Sequence, residues 1–115
     1  MKPAHLPNCE SDAHDSGRPD SPYSSNDFEA GARLFRALGD ESRLRLLEYL
    51  SRGEACVSEI AEKSGEGLST VSQRLRILRM DGLVSRRREG KHLFYRLTDH
   101  HIEELIRNGL EHIGE

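Results

Sequence analysis

No apolar run in this chain approaches the roughly 18 residues of a membrane span, and no apolar leader opens it. The chain is therefore expected in the cytoplasm, without a membrane partner. Cysteine is nearly absent too. Cys9 and Cys56 are the only two, one near the start and one in the body, which is no disulfide framework, and both are expected to stay reduced. Proline is missing after Pro22. All four prolines lie in residues 1–27, together with Glu10, Asp12, Asp15, Asp20 and Asp27 against only Lys2 and Arg18. That stretch has almost no large apolar side chains and cannot bury enough surface to offset its ordering entropy, so it reads as a flexible acidic tail. It accounts for the whole net charge of −3. Residues 28–115 then form one small domain, neutral overall, for which help from a second copy is expected. Internal repeats are lacking as well.

What the domain does have is basic charge gathered in one place. From Arg74 to Arg96 there are eight Lys/Arg against Asp81 and Glu89, a local charge of +6. The segment begins with helical periodicity. Leu68, Val71, Leu75 and Leu78 make one apolar stripe, and at about 100° per residue the opposite face carries Ser69, Ser72, Gln73 and Arg76, with Thr70 beside them. Asp81-Gly82 stops the helix. The period then changes to two, with strands at Val84–Arg88 and His92–Leu97 around Glu89-Gly90, and this hairpin carries Arg86, Arg87, Arg88 and Lys91. Small hydroxyls, an amide and an arginine on a helix suit the DNA major groove, and a basic hairpin suits phosphates.

The other elements complete the pattern. Phe28–Leu38 reads as a first helix, and Asp40 caps a second over Ser42–Leu50. After the extended stretch Glu54–Val57, a short helix at Ser58–Lys63 and a turn at Ser64–Gly67 lead into the polar-faced helix. The expected fold is mainly α with a small β-hairpin, a winged helix-turn-helix. At the end, Ile102, Leu105, Ile106, Leu110 and Ile113 form a further helical stripe. The first and last helices are expected to form a homodimer, with Leu105 and Ile106 as its central anchors.

Three segments carry a family resemblance: ALGDESRLRLLEYL, ACVSEIAEKSG and STVSQRLRILRMDGLVSRRREGKHLFYRL. With the following Asp99-His100-His101 and with His112, they resemble the ArsR/SmtB family of metal-sensing bacterial repressors. Glu41 stands where many members have proline, Gly67 where a capping serine is common, and Glu66 where an apolar residue is common. The resemblance implies a dimer that holds inverted-repeat operator DNA when metal-free and releases it when metal binds.

The metal ligands are subject to a geometric test. His101 and His112 lie eleven residues apart, hence on one helix face but separated by about 16 Å along the axis. One helix cannot bring both to one ion, whereas two antiparallel copies can. Asp99 and His101 of one chain then meet His112 and Glu115 of the other, an oxygen and nitrogen set suited to zinc, or to cobalt or another divalent metal. A second candidate site uses Cys56 and Glu59 with Cys9 and His14 from the tail, the resemblance implying a thiolate-rich site at Cys56. His92 lies on the wing, and no partner is expected for His5 or His100. An alternative function is a thiol-based redox regulator using Cys9 and Cys56. An enzyme is not expected, since the four-ligand site leaves no open position for a small organic substrate, and too few ligands are present for metal storage.

Overall fold

The computed structural model describes residues 17–115, as five helices and three short strands. Helix α1 runs Ser25–Leu38, three residues longer at its start than the apolar periodicity indicates. The reason is a capping box. The Asp27 backbone N–H donates to the Ser24 hydroxyl at 3.1 Å, and the Ser24 N–H donates to the Asp27 carboxylate at 2.9 Å. Helix α2, Glu41–Ser51, starts at the expected cap, with Asp40 accepting from the Arg43 N–H at 3.0 Å. The Arg43 guanidinium reaches back to the carbonyls of Ala37 and Arg36 at 3.0 and 3.3 Å, satisfying the end of α1 and fixing the angle between the two helices.

The extended residues before the third helix become a strand. Strand β1, Ala55–Cys56, pairs antiparallel with β3, His92–Leu97, which pairs with β2, Val84–Glu89. The sheet therefore has three strands in the order β1-β3-β2, where the alternating pattern marks only the hairpin. The tight turn is Gly90-Lys91, one residue later than expected, because Glu89 still pairs with His92 and Gly90 supplies the positive φ of 64°. Helix α3, Val57–Ser64, ends at Gly65 in the left-handed conformation, and α4 follows as Leu68–Met80. Gly82, with φ 76°, closes α4 and lets the Leu83 N–H donate to the Leu78 carbonyl at 2.9 Å.

Asp99 caps α5, His100–Ile113, its carboxylate oxygen accepting from the N–H groups of His101 and Ile102 at 3.0 and 3.2 Å. One core joins Leu46, Leu47 and Leu50 of α2, Ile60 of α3, Val71, Leu75 and Leu78 of α4, Leu83, Val84 and Tyr95 of the wing, and Ile102 and Ile106 of α5. Two expectations change here. Leu68 begins the apolar pattern of α4 but is 56% exposed. Ile106 is only 3% exposed within its own chain, so it anchors the monomer core and not a partner. Among the described residues no helix is long and apolar enough to cross a membrane.

Candidate functional site

The short α3, the turn over residues 65–67 and α4 form a helix-turn-helix, and β2 and β3 form the wing beside it. Burial of Val71, Leu75 and Leu78 fixes the rotation of α4, which turns Ser69, Thr70, Ser72, Gln73 and Arg76 outward, all exposed. Among the described residues the side-chain hydrogen bonds of α4 are confined to Arg74, so those five side chains are unengaged by protein.

Arg74 has a different task. It is half-buried, and its guanidinium grips the Glu66 carboxylate with both terminal nitrogens, the longer bond being 3.2 Å. Glu66 lies in the turn and Arg74 in the middle of α4, so this fork ties the two parts together. It does so where Gly67, the residue before α4, offers no side-chain cap. The Arg74 hydrogen bond holds the Glu66 carboxyl below its ordinary value. Their spacing of eight matches no helical or strand neighbour rule, so no pattern in the sequence marks the pair.

The wing divides its cations. Arg86, Arg88 and Lys91 are exposed. Arg87 instead donates to Glu54 at 3.0 and 2.8 Å and to Glu89 at 2.8 Å, with its guanidinium 4.8 Å from the centre of the Phe94 ring. These carboxylates raise the Arg87 pKa, and Arg87 in turn lowers that of Glu54. Arg87 thus fastens the wing to the residue before β1, and its charge is largely answered within the protein.

The four residues expected as metal ligands at the two ends of α5 fall into two exposed pairs. His101 Nδ1 lies 3.7 Å from Asp99 Oδ1, and His112 Nδ1 lies 4.0 Å from Glu115 Oε1. Among the described residues no group of three His, Cys, Asp or Glu gathers within one chain. At about 100° per residue, His101, Leu105, Asn108 and His112 share a strip at i, i+4, i+7 and i+11, turned away from the Ile102 and Ile106 face.

At the head of α3, Cys56 Sγ lies 3.3 Å from the Ser58 hydroxyl. That contact, with the backbone N–H of Glu59, lowers the thiol pKa. The Glu59 carboxylate accepts from the Tyr49 hydroxyl, which raises the Tyr49 pKa. Cys9 and His14, the other members of the second candidate site, lie outside the described residues.

Residues 40–86, from the cap of α2 into β2, match the pattern of "Bacterial regulatory protein, arsR family". A transcriptional repressor SmtB homolog of Synechocystis sp. is 44% identical over 84 residues, which are 73% of this chain and 64% of that protein. A cadmium resistance transcriptional regulatory protein CadC homolog of Staphylococcus aureus is 35% identical over 73% of this chain and 70% of its own. The match therefore spans just under two thirds of the first relative's length. Among solved structures, the homodimeric winged helix-turn-helix DNA-binding domain of a possible ArsR-family transcriptional regulator from Mycobacterium bovis aligns with a TM-score of 0.76. It is 32% identical over 85% of this chain and 91% of that one. The shared helix-turn-helix, wing and sequence make this chain a member of the arsR family of bacterial regulatory proteins, a family of transcriptional regulators and not of enzymes.

Proposed function

We propose that the chain is a dimeric repressor that grips operator DNA with α4 and the wing and releases it when zinc, or a divalent metal of similar chemistry, binds between two copies of α5. The observation that carries the DNA half is the outward row on α4, five polar side chains with no protein partner among the described residues. Ser69, Thr70, Ser72, Gln73 and Arg76 would meet base edges and nearby phosphates, while Arg86, Arg88 and Lys91 hold phosphates. Arg87 contributes by fixing the wing, a role different from the phosphate contact expected of it.

The donor set on α5 suits the metal. Each end of the helix offers one imidazole beside one carboxylate, and Asp99 keeps its second oxygen free of the two cap bonds made by the first. Antiparallel packing of the His101, Leu105, Asn108 and His112 strip on its copy would put Asp99 and His101 opposite His112 and Glu115. The midpoint of the strip lies between Leu105 and Asn108, so of the two expected anchors Leu105 keeps that role and Ile106, buried in its own chain, does not. Both recognition helices would then face one side of the dimer and read an inverted repeat.

Zinc titration of protein bound to labelled operator tests this. Release is expected for the native chain, while His101→Gln and His112→Gln keep metal-free DNA binding but lose release. A heterodimer of the two variants has one site without histidine and one intact, so it should regain one metal per dimer. If no site returns, the ligands come from one chain and the shared site is wrong. A thiol-based reading is favoured by the lowered Cys56 pKa. It requires that Cys56→Ser remove the response, whereas the metal reading on α5 requires that zinc still release that variant.

A further inference from the structure

We propose that Leu68 is a base-reading residue, one that accepts the 5-methyl group of a thymine in the operator; the inference rests on the DNA-binding reading of α4. Leu68 begins the spacing that Val71, Leu75 and Leu78 continue, yet those three are 1%, 0% and 0% exposed while Leu68 is 56% exposed and outside the core cluster. It is the first residue of α4, and helical side chains lean toward the N-terminus, so it covers the tip of the helix and not the turn behind. Nothing among the described residues masks that tip. Gly67 before it carries no side chain, and a Cβ built there would meet no atom within 4 Å.

The surroundings identify the occupant. At about 100° and 1.5 Å per residue, Ser72 lies about 40° and 6 Å from Leu68, and Ser69 and Thr70 share its turn. All three are exposed, and no carboxylate stands among them. A leucine set among hydroxyls at the start of this basic helix is out of place against a protein surface, but not against the major groove. There the thymine methyl is the apolar group on the base edges, and a recognition helix reads with its N-terminal residues. Against cytosine or guanine, Leu68 would cover a donor or acceptor and leave it without a partner. Two other apolar side chains of α4 are exposed, Ile77 at 40% and Met80 at 72%, but they lie about 14–18 Å farther along the axis. They cannot reach the same base, which makes Met80 the control.

The test uses the full chain and an operator selected from a random duplex pool. Each thymine of one half-site is replaced in turn by deoxyuridine, which removes only the methyl. The native chain should lose affinity about four-fold at one thymine, the worth of one buried methyl, and little elsewhere. Leu68→Ala should bind the ordinary operator less tightly by a similar factor, show no further loss at that position, and keep its melting temperature because the side chain is exposed. Met80→Ala should keep the full deoxyuridine penalty. A selected operator without thymine, no sensitive thymine, or an undiminished penalty in Leu68→Ala overturns the inference while leaving DNA binding intact. Failure to select any operator removes the DNA reading itself, and the inference with it.

Discussion

In α4 the stripe Val71, Leu75 and Leu78 is buried completely in the chain's own core, whereas in α5 only Ile102 and Ile106 are, and Leu110 and Ile113 remain 42% and 79% exposed. Both helices are amphipathic and nearly equal in length, 13 and 14 residues. A helix whose central stripe is buried within the monomer is held at one rotation even with Leu68, Ile77 and Met80 left outside it, and its other face is free to meet a different kind of molecule. A helix that leaves apolar positions open, as α1 also does at Phe28 and Phe35 with 59% and 60% exposure, still lacks a neighbour among the described residues. The first arrangement suits a ligand that is polar and charged, such as DNA. The second suits another copy of the same chain.

Charge placed in the two faces should separate them most sharply. Leu105→Asp would set two like charges near the two-fold axis, and at about 3–5 kcal/mol, the scale of an uncompensated buried charge, the dimer should dissociate. Sedimentation should find monomers at micromolar concentration with the helix content of the native chain; a persistent dimer would remove α5 from the interface. Truncation gives the next contrast. Leu75→Ala should lower folding stability by about 2–5 kcal/mol. Ile113→Ala should lower it by less than about 0.5 kcal/mol in denaturant melts of dilute protein, while weakening dimerisation. Similar losses in both would mean that the two helices are buried alike.

On the polar side, Gln73→Ala or Arg76→Ala should weaken operator binding by about 1–3 kcal/mol and blur the preference at one or two base pairs. His112→Gln should leave metal-free binding unchanged. Competition with random duplex checks this, since equal losses on operator and random DNA would make Gln73 a mere positioning contact. The smallest effect concerns the Glu66–Arg74 fork. Because Arg74 depresses the folded pKa of Glu66, the fork's contribution is complete above the ordinary carboxylate range and is lost as pH falls through the folded value. Glu66→Gln should therefore be slightly less stable at neutral pH and lose less on acidification below about pH 4. Parallel pH–stability curves for the two proteins would mean the fork is too solvated to matter.

The sequence alone determined the local features, because each is set by neighbours a few residues apart. Periods of 3.6 and 2 located the recognition helix and the wing, Asp40 capped its helix as its position indicated, and Gly65, Gly82 and Gly90 marked the turns. The polar row on α4 was legible for the same reason. The box of Ser24 and Asp27 is just as local and was missed only because it precedes the apolar pattern. Tertiary structure decided everything that depends on what lies opposite a face. Periodicity groups Leu68 with Leu75, and Leu105 with Ile106, but not which of each pair meets the core. Nor does spacing join Arg87 to Glu54, 33 residues away, or bring Ala55–Cys56 beside β3 as a third strand. These pairings form because the packed core holds distant segments within hydrogen-bond reach, a constraint absent from any short stretch of the chain.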